Sequence, residues 1–257
     1  MFDLLFLISG SILCFVSMLF VISILVKRND IADTAWGIGI LLVAAISYAQ
    51  SVEKGLLLSI VLVLIMLWSV RLFVSILLRN IKKDEDYRYK NWRMQWGKWF
   101  YIRSYFQVYV LQGFLMIVVG YPAIHASVYG VSAEFGLIVM LGAVVWAVGY
   151  VFEVVGDWQL DRFIKGKPEK GTIMDRGFWK YTRHPNYFGE VTMWWGLWIM
   201  VATLPFGYFA LISPFTITFL ILKVSGIPML ERSFADNPNF QAYKKRTSAF
   251  FPLPPRK

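Results

Sequence analysis

The side chains able to do chemistry in this chain are few, and they stand where they are expensive. Arg71 and Gln112 lie inside long apolar runs, Glu153 and Glu190 near the ends of others, and Asp33 at the start of one. A charged group inside a membrane span costs about 2.5–3.5 kcal/mol on insertion scales, so each is a functional candidate. Asp157 follows Glu153 at i+4 and shares its helix face. All but Gln112 fall in, or at the edge of, the same half of the membrane. The bland alternative is that Arg71 pairs with one carboxylate to hold helices together; that explains one residue but not the set. Carboxylates with Arg and Lys above them suit a ligand carrying both sugar-like hydroxyls and phosphates.

The densest motif runs from Arg176 through Lys180, Tyr181, Arg183, His184, Pro185 and Asn186 to Gly189 and Glu190. Pro185 lacks an N–H and suits the first turn of a helix. A helix therefore starts near Asn186, with the positive end of its dipole towards the basic loop. Arg183 and His184 just before it make an anion site. A basic anchor before a membrane helix would explain Arg183, but not the Asn–Tyr–Phe–Gly–Glu that follows. Gly189 permits close approach of a second helix or a ligand.

The elements that position these residues follow from composition. The chain has 257 residues, 58% hydrophobic and 16% charged, against about 25% charged for a soluble domain. Mean hydropathy is +0.56. The apolar excess needs lipid as its solvent. Runs long enough to cross fall at 4–26, 34–51, 55–78, 105–122, 134–155, 187–203 and 206–222. The expected fold is all-α, a polytopic membrane protein of about seven transmembrane helices in a single domain, with an amphipathic tail over 226–257. That tail either lies on the membrane surface or folds over the site as a lid. Segments 27–33, 79–104, 156–186 and 223–257 hold 2, 8, 7 and 7 of the 26 Lys and Arg. The positive-inside rule then places the N-terminus outside and the C-terminus in the cytoplasm. Aromatic residues at 79–104 read as an interfacial belt, and 156–186 as ordered loop plus short helix. The net charge of +10 reads as cytoplasmic anchoring to anionic membrane lipid, with no nucleic-acid partner. Cys14 is the single cysteine, so no intramolecular disulfide forms, and two His exclude a zinc cluster of ordinary ligand count. The N-terminus has neither a basic n-region nor a cleavage site and reads as a retained helix.

The block Arg183–His184–Pro185–Asn186–Tyr187–Phe188–Gly189–Glu190 resembles the bacterial DUF1295 membrane proteins, relatives of the steroid 5α-reductase C-terminal domain. The likeness runs through Asp33–Thr34–Ala35–Trp36–Gly37, Trp68–Ser69–Val70–Arg71–Leu72, Glu85–Asp86–Tyr87–Arg88–Tyr89 and Gly156–Asp157–Trp158–Gln159–Leu160, and ends at Arg246–Thr247–Ser248–Ala249–Phe250–Phe251–Pro252. It implies an NADPH-dependent reductase of a carbon–carbon double bond, in a bacterial inner membrane. A lipophilic enone would enter from the membrane. The resemblance places Asp157, Asn186, Glu190 and Trp194 among the cofactor-contacting positions, with Glu153 nearby and Arg71 in the third helix. Arg162, Lys165, Arg176 and Arg183 become partners for the cofactor phosphates, with Tyr181 and His184 in the same motif. The reductases carry a Gln–Glu pair in the second helix and a Tyr in the third; here Ala32–Asp33 and Trp68 stand at those places. Asp33 then acts on the carbonyl, and Tyr87 or Tyr89 takes the phenol's part. The same Arg–His–Pro–x–Tyr–x–Gly pattern occurs in isoprenylcysteine and phospholipid methyltransferases. In that alternative Arg183, His184 and Glu190, with Glu231 and Arg232, hold S-adenosylmethionine. A third possibility is a lipid-binding membrane protein without catalysis. No G-x-G-x-x-G fingerprint assigns either cofactor.

Overall fold

In lipid every backbone N–H and C=O must find a partner within the protein, and a helix does this within one segment. The computed structural model describes residues 1–81, 83–130 and 136–256. Its helices are α1 (Phe2–Val26), α2 (Ile31–Gln50), α3 (Leu56–Asn80), α4 (Tyr87–Val119), α5 (Tyr121–Tyr129), α6 (Leu137–Lys165), α7 (Pro185–Val201), α8 (Gly207–Ser233) and α9 (Pro238–Arg246). Among the described residues, α1, α2, α3, α4, α6 and α8 are long and apolar enough to cross a membrane. The chain is a multi-pass α-helical membrane protein. Its β pairing among the described residues is a single bridge between Thr182 and Ser248.

A helix stands at each of the seven apolar runs, with changed limits. The run at 187–203 becomes α7, which is 17 residues long and begins at Pro185. Its neighbour α6 does not stop at 155. Nothing breaks it before Gly166, and the Lys165–Asp161 pair at 2.6 Å supports its last turn. Asp157, Arg162 and Lys165 are therefore helical rather than in a loop. Residues 134–135 of the expected fifth span lie outside the described residues, as do Lys82 and Lys257. The aromatic stretch before residue 105 also joins a helix. Asp86 caps α4 by accepting from the Arg88 N–H at 2.9 Å. Within α4, residues Tyr105–Val110 form a wide π turn, which re-phases the side chains that follow it. The segment 123–133, expected as a connection, carries most of α5.

The helices form two compact units. The first comprises Met1–Phe135 with Leu204–Ile212. There α2 is the central helix and touches α1, α3, α4 and α5. Its inward face is small, with Gly37, Gly39, Ala44 and Ser47 buried, so neighbours approach closely. The second unit comprises Gly136–Thr203 with Ser213–Lys257. Its axis is the α6–α7 pair. Gly142 and Gly149 on α6 face Gly196 and Gly189 on α7, and seven residues separate the two glycines of each helix. A Cβ on Gly149 would stand 2.6 Å from the Gly189 carbonyl oxygen, and one on Gly196 would stand 2.6 Å from the Trp146 nitrogen. Backbone meets backbone along this seam. It fixes the register of the two helices that carry the Glu153 and Asn186 side chains.

Candidate functional site

Two polar clusters emerge, one in each unit. In the first unit the entrance to α2 carries Arg28, Asn29, Asp30 and Asp33. Arg28 pairs with Asp30 at 2.7 Å and donates to the carbonyls of Asn80 (3.2 Å) and Lys83 (2.9 Å). The Asp30 hydrogen bond raises the Arg28 guanidinium above its ordinary value against the opposing effect of burial. Asn29 is buried; it donates to Ser104, and its Oδ1 accepts from Tyr109 Oη at 3.3 Å. One turn on, Asp33 Oδ1 accepts from the Tyr89 hydroxyl at 2.9 Å and from Gln112 Nε2 at 3.2 Å. Its Oδ2 accepts from Arg88 Nη2 at 2.7 Å. Burial of Asp86 disfavours its charge, but Arg88 bonds it through side chain and backbone and brings its carboxyl below the ordinary value.

Asp33 is thus an acceptor of three donors, and the proton-bearing oxygen beside it is the Tyr89 phenol, only 2% exposed. Tyr87 does not join it. Residues two apart on a helix point roughly 200° away from each other, and Tyr87 is 61% exposed. Trp68 is buried on α3, with Arg71 half-buried three residues further on. Arg88 is the residue that sequence reasoning left out of the site, and Gln112, a candidate by its depth in an apolar run, is here given its partner. The signal for Arg88 and Tyr89 was the Asp86 cap, which starts a helix early enough to bring both into register.

In the second unit α6 and α7 meet at Gly156, beside Pro185 and Asn186. Asn186 Nδ2 donates to Asp157 at 3.1 Å, and its Oδ1 accepts from the Tyr187 N–H at 3.0 Å. Glu153 is buried against Gly189. Trp194 is buried further along α7, and Glu190 half-buried one turn before it. The preceding loop is tied to α6, because the Trp179 indole donates to the Gly156 carbonyl and the Phe178 N–H to Gln159 Oε1, both at 3.0 Å.

Arg183 and His184 do not open outward. Arg183 Nε and Nη2 reach Glu231 at 2.8 and 2.7 Å, and Nη1 reaches the Thr247 carbonyl. His184 Nε2 meets the same carboxylate at 3.1 Å, and Lys244 Nζ meets its other oxygen at 3.2 Å. Burial pushes the His184 imidazole below its ordinary value, with the Glu231 hydrogen bond working against this. The tail closes over this knot. The Arg183 N–H donates to Ser248 at 2.9 Å, the Leu253 N–H to the Tyr181 carbonyl at 3.0 Å, and the Tyr243 hydroxyl to Trp179. Burial raises the Tyr243 phenol above its ordinary value. The tail is thus docked on the loop that precedes α7. Among the exposed cations are Arg162, set over the Trp158 ring at 5.6 Å, Arg176, and Lys180, set over Tyr181 at 5.9 Å. None of the three has a carboxylate partner among the described residues.

The family model described as a protein of unknown function (DUF1295) matches residues 19–247, a stretch that includes both clusters. The chain belongs to the DUF1295 family. That family is related to the steroid 5α-reductase-like membrane proteins. Neither the curated proteins nor the solved structures hold a match to the chain.

Proposed function

We propose that this DUF1295 protein is an NADPH-dependent reductase of a carbon–carbon double bond in a lipophilic enone taken from the membrane. The observation that carries the reading is the Asp33–Tyr89–Gln112 constellation: a buried phenol held against a carboxylate at the end of a membrane helix. Arg88 and Gln112 occupy Asp33 lone pairs, so the carboxylate is fixed in place and fixes the phenol in turn. In the structure the Tyr89 O–H donates to Asp33; on substrate binding it would turn its single proton from Asp33 to the carbonyl oxygen, where it can stabilise and protonate the enolate. Positioned acid catalysis of this kind is worth about 10²–10⁴ in rate.

The donor set of the second unit fits an anionic dinucleotide. Among the described residues Arg162, Arg176 and Lys180 have no carboxylate partner, and the residue before α7, His184, gives the helix no side-chain cap. His184 Nδ1 is buried without a hydrogen-bond partner among the described residues. When bound, NADPH supplies the hydride equivalent for the β-carbon. Arg162, Arg176 and Lys180 would neutralise its phosphates, and Asn186 and Asp157 would meet its hydroxyl and amide groups. The basic face belongs to the cytoplasm of a bacterial cell in this reading, which a reporter fusion at the C-terminus tests.

The deciding experiment uses detergent-purified protein. NADPH at 100 times its dissociation constant stabilises by about 2.7 kcal/mol, and enone-dependent loss of NADPH absorbance follows. Tyr89→Phe keeps the thermal shift and loses turnover at least 100-fold. Stabilisation by S-adenosylmethionine and not by NADPH would instead favour methyl transfer and refute the reductase.

A further inference from the structure

Beneath α9 the second unit holds a pocket of about 450 Å³, in the range of small-ligand sites. Its walls come from the end of α6, from the loop at 172–176 and from one face of α9. Asn239, Ala242, Tyr243 and Arg246 recur at helical spacing and present that face. The aromatic walls are Phe163 and Tyr243, the apolar side is Ile173 and Met174, and the cations are Arg176 and Arg246. Arg246 is held at one end by Asp175 at 2.5 Å. Arg176 is exposed and has no carboxylate partner among the described residues.

The walls are tied together. The Gly171 carbonyl accepts from Asn237 Nδ2 and Asn239 Nδ2, both at 3.1 Å. The loop is thereby fastened to the first turn of α9. Tyr243 is fixed from below by its bond to the Trp179 carbonyl. Ala242 is exposed on the stripe, and its small side chain leaves the space open.

We propose that this pocket binds a purine nucleotide, with the base against the Phe163 and Tyr243 rings and a phosphate on Arg176 and Arg246. Flat aromatic and apolar walls suit a base, and the two guanidiniums suit a phosphate. A glycerophosphate headgroup would use the cations but not the rings. The nucleotide is either a free molecule or the adenylate end of the cofactor. Only the second source rests on the reductase reading.

The test is calorimetric binding of adenosine 2′,5′-bisphosphate to the detergent-solubilised full chain, beside inorganic phosphate, adenosine and glycerol 3-phosphate. The bisphosphate binds at least tenfold tighter than any of the three. Ala242→Trp, which fills an exposed position, and Arg176→Ala each weaken it at least tenfold with the melting temperature unchanged. Equal affinity for phosphate or glycerol phosphate overturns the proposal, as does full binding in both variants. A raised KM for NADPH in Ala242→Trp at unchanged kcat assigns the cofactor end. An unmoved KM with bisphosphate binding lost assigns a free nucleotide. Bisphosphate binding without any NADPH-dependent turnover sinks the reductase and leaves the pocket standing.

Discussion

Removing the Glu231 carboxylate should unfasten the tail. In Glu231→Ala, Arg183 loses the acceptor of its Nε and Nη2 groups while its side chain is only 6% exposed. The carboxylate is itself only 11% exposed. Breaking a buried ion pair by deleting one partner costs about 3–5 kcal/mol. Lys244, at 49% exposed, adds at most about 1 kcal/mol. At about 2–4 °C per kcal/mol for a chain of this size, the melting temperature falls by roughly 6–24 °C. Differential scanning fluorimetry in detergent reads the shift, and limited proteolysis shows new cleavage beyond residue 226. The double variant Arg183→Met with Glu231→Met recovers part of the loss, because it leaves no buried unpaired charge; the Lys244 left behind is half-exposed. Recovery stays incomplete, since Arg183 also holds the Thr247 carbonyl. A shift under about 1 kcal/mol, with the tail still protected, would refute the argument that this knot holds the second unit's loop.

Three further outcomes follow from the same geometry. Burial lowers the folded pKa of His184 beneath its unfolded value of 6.5. The stability this group contributes is therefore full above pH 6.5 and is lost as pH falls below it, by up to about 1.4 kcal/mol per unit; melting against pH shows the slope, and His184→Gln flattens it. Gly149→Ala drives a Cβ to 2.6 Å from the Gly189 carbonyl and costs about 1–3 kcal/mol, whereas Gly10→Ala, with nothing within 4 Å, does not lower the melting temperature. Enone reduction falls at least 100-fold in Tyr89→Phe and stays within twofold in Tyr87→Phe; equal losses in both would remove Tyr89 from its role.

Composition alone was enough for a helical membrane protein, because lipid leaves an apolar chain few ways to satisfy its backbone. It also located a helix at each of seven runs, and Pro185 marked where α7 begins. Helix ends were less legible. The polar stretch before residue 105 reads as interface by composition, yet the Asp86 cap and the inward-facing Tyr89 make it helix. Likewise α6 outruns its apolar part by a further turn and more, because charge does not end a helix and Gly166 does.

Asp33, Asp157 and Asn186 were visible in the sequence because a polar group beside apolar runs is conspicuous. The grouping around Asp33 was not. Tyr89, Arg88 and Gln112 come to Asp33 from 55 or more residues away, and no local spacing encodes that. Arg183 shows the limit best. Beside a helix N-terminus its charge reads as an anion site, but Glu231, 48 residues on, turns it inward to hold the tail. Residue types and spacing determined which groups are costly and on which helices they stand. Only the tertiary structure decided what each one faces, because a charge takes its partner from whichever segment packing brings within 3 Å or so.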